Sequence, residues 1–284
     1  MTPAPLLALL SAVLYGAADF VGGLTSRRAP TMAVVFSSQL TGALALLAML
    51  PLLQPATVGV ADLIWGAAAG CAGGVGVALL YRALAIGTMS VVAPTTAVCA
   101  VAIPVTVAIA LGERPSALAL SGMALALVAI VLVSQAPEAG PTRDRSQATQ
   151  ALLIAIGSGI AIGIFFLALA RTTHAAGLWP LLAARVASAL LIAAMALVTG
   201  IKSLQMPRSV LPMAMACGVI DMGANGLYLI ATRGGALSII VTLASLYPAS
   251  TVLLARIILH ERLGRFQVAG VVACLIAISL IVTG

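Results

Sequence analysis

The chain has 284 residues, of which 62% are hydrophobic and only 7% charged, with a formal net charge of +7 and a mean hydropathy of +1.21. A soluble domain carries about 25% charged residues, so 14 Lys/Arg and 7 Asp/Glu cannot cover the surface of a water-soluble fold of this length. The basic residues are scattered between apolar runs, which argues against a nucleic-acid partner and favours contact with anionic lipid headgroups. The composition predicts a polytopic membrane protein.

Membrane crossings are predicted from apolar runs of about 20 residues, the length that a helix needs to cross the hydrocarbon core. The runs are continuously apolar and lack the period-two alternation of a membrane β-barrel strand, so helices are predicted. The predicted fold class is all-α and integral to the membrane. Its ten transmembrane helices are expected at residues 4–25, 31–52, 62–82, 88–111, 116–135, 149–170, 177–200, 209–231, 237–258 and 265–283.

One polar segment, between Gln135 and Gln150, divides the chain near its middle. It contains two prolines and four charged residues within an otherwise apolar sequence. We predict a first five-helix unit over 4–135, a polar linker over 136–148 and a second five-helix unit over 149–283.

The two units repeat each other at an offset of about 148 residues. Because each unit has an odd number of spans, the second copy enters the membrane from the opposite side. Inverted repeats of this kind place a binding site near the midplane, at the interface between the halves. The matching pairs are Gly87 with Gly235, Ser90 with Ser238, Glu113 with Glu261, Gly122 with Gly270, Gly16 with Gly163 and Gln39 with Arg185.

Three short motifs resemble those of the drug/metabolite transporter superfamily, and in particular its ten-helix EamA branch. They are the run Leu14–Phe20, the turn Gly112–Pro115 and its counterpart His260–Leu263. The resemblance covers essentially the whole chain, and it implies a secondary transporter with a central cavity lined by helices of both halves. In the first span, the chain differs from many members of that family at two positions. Tyr15 stands where many relatives have Trp, and Asp19 stands near a common Asn and adds an ionisable group to the cavity wall.

Acidic residues within the spans mark candidate sites, because a charge at the bilayer centre costs about 2.5–3.5 kcal/mol on insertion scales. Asp19 and Asp221 are the two that fall inside spans, and both are candidates for proton coupling. Asp221 is the more central of the two, whereas Asp19 lies nearer the end of its span and can instead reach the interface. Helical spacing places Asn225 and Tyr228 on the face of Asp221.

Arg185 is the basic counterpart, and it has two interpretations. It binds a carboxylate or phosphate of the substrate with its planar fork, or it forms a structural ion pair with Asp221. The sequence leaves both open.

Three prolines are predicted hinges, since each removes a backbone donor from its helix. They are Pro94 and Pro104 in the fourth span and Pro248 in the ninth, and a purely architectural bend is the alternative. The residues predicted to line a substrate-binding cavity are Asp221, Asn225, Tyr228, Arg185, Asp19, Tyr15, Gln39, Thr95, Thr242 and Ser245.

Several function classes are excluded by what the sequence contains. Lys202 is preceded by Ile201, so the chain has no phosphate-binding loop in which a lysine follows glycine. His174 and His260 are far apart in sequence and form no metal-binding or catalytic arrangement. We therefore predict no enzyme activity, no cofactor and no metal site.

The predicted function is secondary active transport, with export preferred, of a small metabolite, amino acid or drug-like compound by alternating access. Proton coupling is a hypothesis attached to it. An uncoupled exchanger or facilitative permease, a channel, and the membrane subunit of a larger complex are the alternatives. The expected partners are the small-molecule substrate, protons and the lipid bilayer, with a monomer as the working oligomeric state.

The expected location is a bacterial inner membrane, with several crossings. Counted over alternate loops, nine Lys/Arg lie on the side opposite the termini and three on the side of the termini. The positive-inside rule then places both termini outside, whereas the family resemblance implies cytoplasmic termini. Both orientations stay open.

Overall fold

The computed structural model describes residues 3–52, 56–87, 89–133, 145–259 and 264–283. Within these ranges the chain is helical and contains no β-strand. The helices are α1 (Ala4–Ser26), α2 (Thr31–Met49), α3 (Val60–Ile86), α4 (Met89–Ala110), α5 (Ala117–Val133), α6 (Arg145–Ala170), α7 (Trp179–Thr199), α8 (Leu211–Gly234), α9 (Leu237–Ala244), α10 (Tyr247–Leu259) and α11 (Arg265–Thr283).

The ten predicted spans correspond to these helices with one correction, in the ninth. The predicted span 237–258 is two helices, because the chain breaks between α9 and α10. Pro248 has no amide hydrogen to donate to the carbonyl of Ala244, four residues earlier. The amide of Leu246 bonds instead to the carbonyl of Leu243, at 3.2 Å, which tightens the turn and ends α9.

The other predicted boundaries fall close to the observed ones. The fourth span is one helix, α4, which continues through positions 94 and 104 without interruption. Residues 134–144, which include most of the predicted linker 136–148, lie outside the described residues, and positions 145–148 already form the first turn of α6.

The outer surface of the bundle is apolar, as expected of a protein in lipid. Leucine and valine side chains such as Leu190, Leu197 and Val198 are largely exposed. Among the described residues, seven helices are long and apolar enough to cross a membrane, and three further apolar segments are shorter. The chain is a multi-span membrane protein.

The most extensive helix contacts join the two halves of the chain. Helix α3 packs on α6 and α7, and its repeat counterpart α8 packs on α1 and α2. In the same way α4 packs on α6 while α10 packs on α1, and α5 pairs with its counterpart α11. Each contact has an equivalent in the other half, so the bundle has the approximate two-fold symmetry of an inverted repeat.

The helix order gives the bundle two ends. At the terminal end, α1 begins and α11 ends; at the linker end, α5 ends and α6 begins. The symmetric packing and the antiparallel contact of α3 with α6 are consistent with this alternation of direction.

Small residues bring the helix backbones together at the interface between the halves. A Cβ atom added at Gly70 of α3 would lie 2.0 Å from the carbonyl oxygen of Ala184 in α7. At Gly218 of α8, 148 positions later, it would lie 2.2 Å from the carbonyl oxygen of Ser38 in α2. Small residues allow such close backbone approach between membrane helices.

Glu113 links the halves at the terminal end. Its carboxylate accepts hydrogen bonds from the amides of Leu237 at 2.7 Å and Ser238 at 3.1 Å, and from the Ser238 hydroxyl at 2.6 Å. A negative charge at the first turn of α9 satisfies its free amides and complements its dipole. The repeat counterpart, Glu261, lies outside the described residues.

A test of the close packing compares two glycines of the same helix, α8. Gly218→Ala is expected to lower the unfolding temperature of the detergent-solubilised protein, since overpacking costs about 1–3 kcal/mol. Gly226 has no atom within 4 Å of an added Cβ, so Gly226→Ala is the matched control and is expected to keep the wild-type value. Thermal unfolding followed by size-exclusion chromatography measures both, and equal melting of the two variants would contradict the packing argument.

Candidate functional site

A cavity lies near the middle of the bundle, between helices of both halves. It encloses a free volume of about 60 Å³, which is smaller than the roughly 300–1,000 Å³ of typical small-molecule pockets. Residues of α1, α2 and α3 from the first half and of α6, α7, α8 and α10 from the second line it. Its walls are mostly apolar, with a small number of convergent polar groups.

Arg185 of α7 is at the centre of these polar groups and is only 5% exposed. One terminal nitrogen of its guanidinium donates to Oε1 of Gln39, and the other donates to Oδ2 of Asp221 at 2.5 Å. Gln39 belongs to α2 and Asp221 to α8, so this one side chain ties three helices together. Because Gln39 and Arg185 are equivalent positions of the repeat, the approximate two-fold axis passes between them.

Asn225 extends the network from Asp221 towards α1. Its amide nitrogen donates to the backbone carbonyl of Asp221 at 2.7 Å and to Oδ2 of the same residue at 3.2 Å. Its Oδ1 accepts from the Tyr15 hydroxyl at 2.8 Å. A continuous chain of hydrogen bonds therefore joins Tyr15 to Gln39 through Asn225, Asp221 and Arg185. Of the two interpretations of Arg185, the structure contains the ion pair with Asp221.

Asp19 also lines the cavity, one helical turn beyond Tyr15, and is partly buried. Unlike Asp221, its carboxylate has no hydrogen-bond or ion-pair partner in the described part of the chain. The ionisable lining therefore consists of one paired carboxylate, one unpaired carboxylate and one guanidinium, besides tyrosines.

Two polar lining residues were not predicted from the sequence. Ser188 and Tyr247 are 1% and 5% exposed, and both hydroxyl oxygens are buried with no hydrogen-bond partner among the described residues. Ser188 lies three positions after Arg185, on the same face of α7, so helical spacing could have found it. Tyr247 lies beside Pro248, at the start of α10, where the predicted span was continuous.

The structure places four predicted residues away from the cavity wall. Tyr228 is fully buried, and its hydroxyl donates to the carbonyl of Phe166 at 3.3 Å. It shares a helix face with Asp221 but lies seven positions further, which is about 10 Å along the axis. Thr95 of α4 and Thr242 of α9 lie in helices that contribute no described residue to the cavity wall. Ser245 lies at the break between α9 and α10.

A packed tyrosine lies on each side of the cavity. Towards the linker end, the Tyr81 hydroxyl is 3.2 Å from Sγ of Cys217, which donates to the carbonyl of Ala18. Towards the terminal end, the ring of Tyr228 packs against that of Phe166, with centroids 4.6 Å apart. Tyr81 lies in the second half of α3 and Tyr228 in the second half of its counterpart α8, one position short of the 148-residue offset that joins Gly70 to Gly218.

Comparisons with known proteins agree with this architecture. A model of the EamA-like transporter family matches residues 2–135 and 149–283. A solved structure described as "Crystal structure of protein" superposes with a TM-score of 0.73 at 16% identity, covering 98% of this chain and 95% of that one. At this identity the likeness shows the fold alone. A search of curated proteins finds no match.

The contribution of the ion pair between Arg185 and Asp221 to folding stability can be measured with three variants. Asp221→Leu leaves a buried guanidinium without its counter-charge, and we expect a loss of about 3–5 kcal/mol, the usual cost of breaking a buried pair. Arg185→Met combined with Asp221→Leu removes both charges and is expected to recover most of that loss. Asp19→Asn, at an unpaired carboxylate, is the control and should leave folding intact. Thermal unfolding in detergent measures all three, and a double variant no more stable than Asp221→Leu would refute the pairing argument.

Proposed function

The chain belongs to the EamA-like transporter family, and from that premise we propose that it is a secondary active transporter working by alternating access. The substrate class proposed is a small metabolite, amino acid or drug-like compound. The observation that supports the proposal is the central cavity, whose polar network is assembled from both repeats around their approximate axis.

Alternating access requires two closures that open in turn, and the two tyrosine layers are candidates for them. Because Tyr81 of α3 and Tyr228 of its counterpart α8 lie towards opposite ends of the bundle, separating one layer while the other stays packed would expose the cavity to one side. The break between α9 and α10 supports Pro248 as a hinge. Pro94 and Pro104 are the corresponding hinge candidates of the first half.

Proton coupling is proposed through Asp221, with Asp19 as the second candidate. A proton on Asp221 removes the charge that holds Arg185 and so weakens the link between α8 and α7. The other ionisable groups that line the cavity with Asp221 are Arg185, Asp19, Tyr15 and Tyr247. Export, and a location in a bacterial inner membrane, are proposed from the family resemblance.

Counterflow tests the transport proposal directly. The full chain is reconstituted into liposomes loaded with one unlabelled compound, and uptake of the same labelled compound is followed without an imposed gradient. Three probes share a phenyl ring and differ in charge: phenyltrimethylammonium, benzenesulfonate and phenylalanine. A carrier gives a transient accumulation of label above equilibrium for at least one of them, whereas a channel gives simple equilibration. Absence of accumulation for all three would refute the proposal.

The coupling residue is tested with the probe that shows counterflow. In Asp221→Asn the amide mimics a protonated carboxyl, so a pH gradient should no longer accelerate uptake, while counterflow at equal pH persists. Asp19→Asn, assayed in parallel, shows which carboxylate is responsible. Unchanged gradient-driven uptake in Asp221→Asn would remove Asp221 from the coupling mechanism, and flux independent of pH in the wild type would favour an uncoupled exchanger or permease.

A further inference from the structure

We propose that the cavity selects a small organic cation, with an ammonium group on an apolar or aromatic body, and that Asp19 is its counter-ion. This inference rests on the proposed transport function and names the substrate class for the same cavity.

The balance of charges in the cavity points to a cation. Among the described lining residues, Asp19 and Asp221 are acidic and Arg185 is basic. The guanidinium is already engaged by Gln39 and Asp221, so Asp19 alone lacks an opposite charge. An unpaired carboxylate within a membrane span is costly, and an ammonium ligand supplies the missing charge.

An anionic ligand would meet the opposite situation. To bind a carboxylate or phosphate in the position of Asp221, Arg185 would have to release that residue. The cavity would then hold three anionic groups against one guanidinium, with the released Asp221 desolvated and unpaired. The carboxylate of a zwitterion faces the same obstacle, since the cavity offers it no other basic side chain among the described residues.

The remaining lining suits an ammonium group on an apolar body. Rings of Tyr15, Phe165, Phe166 and Tyr247 form part of the wall, and aromatic faces attract organic cations, most strongly where water is excluded. The buried, unpartnered hydroxyl oxygens of Tyr247 and Ser188 are available to accept hydrogen bonds from ammonium N–H groups. These two oxygens are the second, independent indication of a ligand.

Ligand binding to the purified full chain tests the charge class. A ligand that binds the folded state raises its unfolding temperature. We expect phenyltrimethylammonium and phenethylammonium to raise it, and benzenesulfonate and phenylalanine to leave it unchanged. Asp19→Asn should weaken binding of both cations by about tenfold or more, as expected for loss of a charged partner, whereas Asp19→Glu should retain it.

A second pair of variants tests the hydroxyl separately from the charge. Tyr247→Phe should weaken binding of phenethylammonium, which has N–H donors, and leave that of phenyltrimethylammonium unchanged, because the quaternary cation has none. Tyr228→Phe makes the same change outside the cavity wall and should affect neither. If Asp19→Asn fails to fold, Asp19→Glu and this pair of tyrosine variants decide the question.

The outcomes separate this inference from the transport proposal. Stabilisation by benzenesulfonate or phenylalanine but by neither cation, together with counterflow of that compound, would overturn the cation class and leave transport intact. Cation binding unaffected by Asp19→Asn would overturn the role of Asp19. A protein that binds none of the probes and transports none of them would refute both proposals.

Discussion

The guanidinium of Arg185 is the group on which the arrangement of the bundle's centre depends. A charge buried at this depth is tolerated only when it is paired and hydrogen-bonded. Its two partners come from two other helices, Gln39 from α2 and Asp221 from α8, so α2, α7 and α8 must meet at one point. That point lies on the approximate two-fold axis, because Gln39 and Arg185 are equivalent positions. The polar network and the cavity around it are therefore fixed at the interface between the halves.

Packing rather than hydrophobic burial must hold the halves around this point, since lipid tails are as apolar as the helices themselves. The close backbone approaches at Gly70 and Gly218 provide such packing on both sides of the axis. At the terminal end, Glu113 adds three hydrogen bonds from one half to the first turn of α9 in the other.

The sequence predicts the spans and the repeat well because both depend on length and spacing, which are properties of the chain alone. The pairing of Gln39 with Arg185 as equivalent positions follows from an offset, and the structure joins them by a hydrogen bond. A bend at Pro248 follows from its missing amide hydrogen, but the complete division of the ninth span into two helices is not predicted, because the hydrophobic pattern continues across Ser245. Helical periodicity placed Tyr228 on the face of Asp221 but gives no depth along the axis, so it could not show that the cavity ends before Tyr228. Helical spacing from Arg185 indicates Ser188 as a lining residue, but the lack of a partner for its hydroxyl and for that of Tyr247 is recognisable only once their neighbours are known.

The scaffold is close to symmetric, but the charges in it are not. The position equivalent to Asp221 is Gly73 and that equivalent to Asp19 is Phe166, and both of these also line the cavity. In the proposed alternating-access mechanism, a symmetric scaffold would make the two opposite openings similar in free energy, so that a small difference in binding could exchange their populations. Each of these two acidic groups is present in one half and is replaced by a non-acidic residue in the other. A proton or a cationic ligand would therefore have different surroundings in the two openings. Such differential interaction is what a ligand needs in order to shift a conformational equilibrium, and we propose that Asp19 and Asp221 provide it.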